Sequence, residues 1–367
     1  MCRRLLQTIT ALSHKFGTPQ FVLGGGGNTS CKDPETLWVK PSGTTLGGLT
    51  PEAFVALDRR KLASLYTMEA PQDAALREAR VKEILLQAVR PGSKGRPSVE
   101  SPVHDSFPAV FVVHTHPTLV NGMTCSAGGE AVCRELFPEA LWLPYVDPGY
   151  CLAIQVRRSV EDYKRRSGKY PEVVFLQNHG LVVAADEPER IEELHSLILD
   201  TLKRAYRSKG IETDLHVGAA PGEEEAAAAI ERIRSALGSE EAAFVVWSGA
   251  FPPPGGPLTP DHIVYAHSEV FCGEPTAEAI ADFRRRFGYS PRVVYWAGAV
   301  FGCGRSRLEA ELALKLAQDA ARVVKLAEAF GGVKYMSPEA RDFIESWEVE
   351  AYRRSKLADR SEKPSGG

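Results

Sequence analysis

The stretch SFPAVFVVHTHP, residues 106–117, decides how this chain is read. Residues 109–113 are apolar and largely β-branched, the pattern of a buried strand. At the end of the run stand His114 and His116. Side chains two apart on a strand project from the same face, so the two imidazoles leave the sheet together, and Pro117 ends the strand. Such a pair is a ready-made set of metal ligands. A tetrahedral zinc site takes at least three protein ligands and keeps one position open when it is catalytic. His179, in Gln177-Asn-His-Gly180 at the end of a second apolar run, is the third candidate. One histidine at a strand end is ordinarily a polar residue and no more. Two on one face with a third in a similar setting favour a metal site. All-imidazole ligation suits Zn²⁺, with Co²⁺, Ni²⁺, Mn²⁺ or Fe²⁺ as alternatives.

The 367 residues suffice for one large or two medium domains with a sizeable core. A hydrophobic content of 44% and a charged content of 25% are those of a soluble globular protein. The formal net charge of −3 gives no electrostatic reason to expect nucleic acid or an anionic membrane as partner. No apolar run approaches the ~20 residues of a membrane span. The segment MCRRLLQTITALSHKFG starts basic but has no long apolar core, and reads as a first helix instead of a signal peptide. The seven cysteines are odd in number and show no CxxC pairing, which points to reduced thiols and a cytoplasmic protein.

Outward from the histidine strand, helices are predicted at 3–15, 73–89, 128–137, 151–166 and 187–208, and Thr50 is expected to cap another that opens at Pro51. Strands are predicted at 20–30, running into the glycines 24–27, and at 36–40, 141–146, 173–176 and 181–184, with 20–40 as a hairpin. Strands alternating with helices imply an α/β layered fold. A domain boundary is placed at 215/216, in a Gly- and Glu-rich stretch. Beyond it come a helix at 223–237, strands at 243–247, 262–266 and 292–297, and helices at 276–287 and 306–329. Residues 356–367 are expected to be a disordered tail. Pro171-Glu-Val-Val-Phe175 and Pro291-Arg-Val-Val-Tyr295, 120 positions apart, each lead into a second strand and a long helix. The region 216–355 is thus an α/β extension and a candidate degenerate partial copy, with Ala299 standing where His179 does. His262 and His267 within it are read as structural.

Glu100 lies between a proline-fixed loop and the histidine strand. Alone it would be a solvated loop acid; beside a metal it is a general base or a fourth ligand. The glycine run 24–27 with Asn28, Thr29 and Ser30, the turn Ser42-Gly43-Thr44 and Ser98 are three donor-rich turns. Each is ordinary alone; together they can surround a phosphate or a sugar hydroxyl. Neither a dinucleotide fingerprint nor a Walker lysine-serine pair is present, which argues against an oxidoreductase.

GGGGNTS, VKPSGTTL, RPSVESPVH, VVHTHP and QNHGL, taken in order, resemble the class II aldolase/adducin superfamily over residues 18–206. GEAVCRELFP and LWLPYVDPGY are similar to the aldolase module of rhamnulose-1-phosphate aldolase/alcohol dehydrogenase-type bifunctional proteins, as are PLTPDHIVY and the last long helix; the dehydrogenase module is missing. The resemblance implies a three-layer αβα sandwich around a central, largely antiparallel sheet. It implies a divalent metal, usually zinc, on His114, His116 and His179, with Glu100 as catalytic base. It implies phosphate contacts from Asn28, from Ser42, Gly43 and Thr44, and from a Ser-Ser pair that is Ser98-Val99 here, one hydroxyl short. It implies a homo-oligomer, a tetramer being favoured, with the general acid often coming from a neighbouring subunit.

The activity implied is metal-dependent aldol cleavage or formation of a ketose, a sugar or sugar phosphate, through a metal-stabilised ene-diolate. Epimerases and dehydratases of the superfamily share these ligands. An adducin-like binding module is the alternative of another class, and the intact His114, His116, His179 and Glu100 argue against it.

Overall fold

The computed structural model describes residues 2–347, and the chain divides into two compact units after Ala205. The tail expected at 356–367 lies outside the described residues.

The first unit runs α1 (Cys2–Phe16), β1 (Asn28–Lys32), β2 (Thr36–Val39), β3 (Val55–Asp58), α2 (Arg59–Leu62), α3 (Ala74–Ala88), α4 (Ser101–Asp105), β4 (Phe111–Thr115), α5 (Thr118–Thr124), α6 (Gly129–Leu136), β5 (Leu141–Leu143), α7 (Tyr150–Ser167), β6 (Val173–Leu176), β7 (Gly180–Ala185) and α8 (Pro188–Ser208). Its seven strands form one sheet in the order β3-β2-β1-β4-β7-β6-β5. Every pair is antiparallel except β5 and β6. The expected layered sandwich around a largely antiparallel sheet is therefore observed. Alternation along β4 sends Val112 and His114 to one face and Val113 and Thr115 to the other. Val112 joins Val182 and Ala184 of β7 in a core with Val103 and Phe107 around α4 and Leu152, Val156 and Val160 of α7. On the opposite face Thr115 meets His195 of α8, whose ring lies 4.1 Å from that of Phe16 in α1. Burial of these apolar stripes holds the layers, at about 25 cal/mol for each Å² removed from water.

The second unit runs α9 (Glu223–Leu237), β8 (Phe244–Gly249), α10 (Pro260–Ala266), β9 (Phe271–Cys272), α11 (Ala277–Phe287), β10 (Val293–Trp296), β11 (Ala299–Gly304), α12 (Arg307–Ala327) and α13 (Pro338–Ser346). Its sheet order β8-β11-β10-β9 repeats β4-β7-β6-β5, with the same pairing senses. The registers match as well. His114 pairs with Val182, and Trp247 with Phe301, the corresponding position. By register, Phe244-Val-Val-Trp-Ser-Gly249 therefore corresponds to Phe111-Val-Val-His-Thr-His116, and Trp247 and Gly249 hold the positions of the paired histidines.

Four sequence expectations change. The strand predicted at 20–30 begins only at Asn28, after the glycines, so the hairpin is β1–β2. Gly27 has φ +64, a left-handed conformation that turns the chain before the strand and suits glycine. Residues 262–266 are the helix α10 and not a strand. Ile263, Val264 and Tyr265 are β-branched or aromatic, but all are fully buried, and a short apolar run does not reveal its period. Pro51 opens only the three-residue 3₁₀ turn Pro51–Ala53, with no side-chain bond from Thr50. Ala299 matches Gly180, not His179. Leu176 pairs with Gly180 across residues 177–179, whereas Trp296 pairs with Ala299 across 297–298.

Candidate metal centre and its carboxylate

The site stands where β1, β4 and the β6–β7 turn meet α4. Asn28 lies opposite His114 across the β1–β4 ladder. Gly27 permits the approach of the two segments, since a Cβ there would lie 2.7 Å from the carbonyl oxygen of His114. His116 follows the last residue of β4, its N–H donating to the Phe21 carbonyl at 2.8 Å. His179 sits in the β6–β7 turn after Asn178, whose φ is +51.

The three Nε2 atoms converge. His114 Nε2 lies 3.0 Å from that of His116 and 3.3 Å from that of His179. Ligands about 2.0–2.1 Å from a zinc ion at tetrahedral corners stand roughly 3.3–3.4 Å apart, so this spacing fits a shared cation. Nδ1 of His114 lies 2.9 Å from the Leu181 carbonyl. A carbonyl only accepts, so Nδ1 carries the proton and Nε2 carries the lone pair, the form a metal takes. His114 and His179 are buried and His116 is half-buried. The donor set therefore fits a divalent metal, and the three histidines can hold one.

Glu100, 4% exposed, completes the constellation. Its Oε1 lies 3.4 Å from His179 Nε2 and 3.7 Å from His114 Nε2. Its Oε2 accepts from Asn28 Nδ2 at 2.6 Å. Ser98 Oγ accepts from the Glu100 N–H at 3.2 Å and lies 3.5 Å from Asn28 Nδ2. Ser42 donates its N–H to the Arg96 carbonyl at 2.8 Å, and Pro41 bridges to Pro97, so the 41–44 turn is anchored beside the strand of chain that leads to Ser98. Gly43 turns it with φ +75, and Thr44 Oγ1 is spent on the Pro41 carbonyl at 2.8 Å. The Ser42 hydroxyl is buried and has no partner among the described residues. Thr29 faces away: its hydroxyl lies 2.7 Å from that of Ser13 in α1, on the other face of the sheet.

Two buried groups escaped the sequence reading. His104, four residues after Glu100, is fully buried in α4, and burial pushes its pKa down to about 3. Lys32 donates to the carbonyls of His104 and Phe107 at 2.7 and 2.6 Å, and burial lowers its pKa to about 7. The i, i+4 spacing of Glu100 and His104 was the available signal. In the second unit His262 bonds Thr259 at 2.8 Å and Asp319 at 3.1 Å, and His267 stacks on Tyr289 at 4.2 Å. An apolar groove of about 400 Å³, lined by Phe137, Tyr163, Tyr170, Val173, Leu194 and Leu197, opens at the start of β6 and holds none of the site residues.

The family model for the Class II Aldolase and Adducin N-terminal domain matches residues 7–202, and the chain belongs to that family. Among curated proteins it is 27% identical over 175 residues to an uncharacterized oxidoreductase, YuxG, of Bacillus subtilis; the match takes in 45% of this chain and 24% of that one. Among solved structures, the N-terminal class II aldolase domain of a conserved protein from Thermoplasma acidophilum is 23% identical, with 54% of this chain and 92% of that chain covered and a TM-score of 0.47. An l-fuculose-1-phosphate aldolase from Thermus thermophilus is 17% identical, covering 56% of this chain and 96% of that one, with a TM-score of 0.36. No helix among the described residues is long and apolar enough to cross a membrane.

Proposed function

We propose that this chain is a metal-dependent class II aldolase, a carbon–carbon lyase that cleaves or forms a ketose, most simply a sugar phosphate. The observation that carries the reading is the convergence of three imidazole Nε2 atoms, 3.0 and 3.3 Å apart, beside a buried carboxylate 3.4 Å from one of them. His114, His116 and His179 would hold the divalent ion, zinc by donor type, with Co²⁺, Mn²⁺ or Fe²⁺ as substitutes. The ion would supply Lewis acidity to the substrate's carbonyl and hydroxyl oxygens. Glu100 would be the base, taking the hydroxyl proton in cleavage or the carbon-bound proton in condensation. Asn28 steadies its second oxygen. Ser42, the Gly43 and Thr44 backbones and Ser98 are the proposed phosphate or hydroxyl contacts; Thr44 Oγ1 is spent on Pro41, and Ser42 alone brings a buried, unpartnered hydroxyl to that task. No chemistry here requires a Schiff-base lysine.

We further infer that the second unit is a partial copy of the β4–α8 segment that lacks the metal ligands, as Trp247 and Gly249 stand in place of two of them. The proposed setting is cytoplasmic, in keeping with seven free cysteines, and the proposed assembly is a homo-oligomer, a tetramer being favoured. Ketose phosphates are assayed for aldehyde release before and after chelation and after zinc is restored. Release that stops on chelation and returns with zinc supports the reading; full turnover in metal-free protein overturns it. Stoichiometric metal without turnover of any sugar would favour the adducin-like binding module.

A further inference from the structure

We propose that His104 is a positioning residue for Glu100, acting through the side-chain amide of Asn28. This role rests on the Glu100 reading above. The geometry is a single chain of hydrogen bonds with one allowed polarity. Glu100 Oε2 accepts, so the Asn28 group 2.6 Å away is its NH₂. The other end of that amide is then the carbonyl oxygen Oδ1, and it meets His104 Nε2 in a short contact. A carbonyl cannot donate, so Nε2 of His104 carries the ring proton and Nδ1 is bare. The bare Nδ1 lies 2.8 Å from Ser30 Oγ, which must donate to it. The order is therefore Ser30 O–H to His104, His104 N–H to Asn28, Asn28 N–H to Glu100.

Every link is buried. His104 is fully inaccessible, and Asn28, Ser30 and Glu100 are each 4% exposed or less. Water is therefore not available to substitute for a lost partner, and a flipped Asn28 would point its carbonyl oxygen at a carboxylate. Burial keeps His104 neutral, as this polarity needs. Both ends of the chain are tied down. Ser30 and Asn28 share one face of β1, and the Lys32 ammonium caps the His104 carbonyl at 2.7 Å, fixing the end of α4 against that strand. The effect is to hold Glu100 Oε2 on Asn28 and leave Oε1 toward His114 and His179.

The test begins with NMR of the metal-free, ¹⁵N-labelled full chain. The expected result at pH 7 is His104 as the neutral Nε2–H tautomer, with the Asn28 amide protons exchanging at least ~10-fold slower than those of exposed asparagines. In His104→Leu that protection is lost; in His104→Gln, which keeps a donor, most of it remains. A wild-type ring protonated on Nδ1 overturns the inference, as does unchanged Asn28 protection in His104→Leu. If His104→Leu does not fold, the wild-type tautomer and His104→Gln decide alone. In the loaded enzyme, His104→Leu should bind zinc within ~3-fold of wild type, yet lose ~10–100-fold in kcat with KM little changed, and His104→Gln should recover most of the loss. An unchanged kcat overturns the role. A wild type inert towards every sugar would remove the aldolase reading but leave the NMR arm to decide this one.

Discussion

Gly180 and His116 stand so close that a Cβ on Gly180 would lie 2.6 Å from the imidazole Cδ2, and 2.5 Å from the Thr115 carbonyl oxygen. The first neighbour is a candidate ligand and the second is backbone, so neither can give way cheaply. Gly180→Ala should therefore push the His116 ring out of the group while the sheet survives. The expected outcome is a zinc affinity lowered at least ~10-fold by calorimetric titration, with a stability loss of about 1–3 kcal/mol. Undiminished zinc affinity would show that the ring has room.

Loss of His179 should abolish the site and not merely weaken it, because two imidazoles from one strand leave a tetrahedral ion half-ligated. Zinc at about 1,000 times its dissociation constant should stabilise the wild type by about 4 kcal/mol. In His179→Ala that increment should vanish, read as a melting temperature no longer dependent on added zinc. A retained zinc response would place the ion elsewhere.

Ser42 and Thr29 make a contrasting pair. The Ser42 hydroxyl is buried without a partner among the described residues, whereas the Thr29 hydroxyl lies 2.7 Å from that of Ser13. Ser42→Ala should leave stability within about 0.5 kcal/mol of wild type and raise KM for a phosphorylated ketose ~10-fold or more. Thr29→Val should do the reverse, costing about 1 kcal/mol in denaturant unfolding while leaving KM unchanged. The opposite pattern would assign the two hydroxyls to each other's roles.

Acid should destabilise the first unit through its buried neutral histidines. Burial holds His195 at about 4 and His104 at about 3, against an ordinary value near 6.5. As pH falls below about 6.5, the unfolded chain takes protons that the folded one refuses. Stability is thus unaffected by these groups above pH 6.5 and declines down to about pH 4 for His195 and about pH 3 for His104, where each ring takes its proton in the folded state too. The slope is at most about 1.4 kcal/mol per pH unit for each ring. His195→Gln should flatten the fall between pH 6.5 and 4.5 by about one such increment, measured by urea unfolding. An unaltered slope would mean that the ring is charged in the folded protein.

Much of this was legible in residues 106–117, because a β-branched run with histidines two apart fixes a strand and the face its candidate ligands share. His179 was legible for a similar reason, standing at the end of a second such run. What the chain order hid were features set by tertiary packing. The five-residue helix α4 shows no period, and its His104 gains meaning only once β1 lies beneath it. Thr29 and Asn28 are neighbours in one motif, yet the pleat sends them to opposite faces of the sheet, and only the hairpin's true start at Asn28 says which goes where. Ile263-Val264-Tyr265 looked like a strand because complete burial erases the alternation that would have told helix from sheet.

The β6–β7 turn spans three residues, 177–179, and its counterpart between β10 and β11 spans two, 297–298. The two hairpins thus differ in chain length as well as in side-chain type. A histidine planted at 297, 298 or 299 would still stand in a turn one residue too short, and Trp247 and Gly249 would still occupy the other two positions. Conversely, trimming one residue from 177–179 should silence the first unit while its strands stay paired, a cut that no survey of single exchanges would sample.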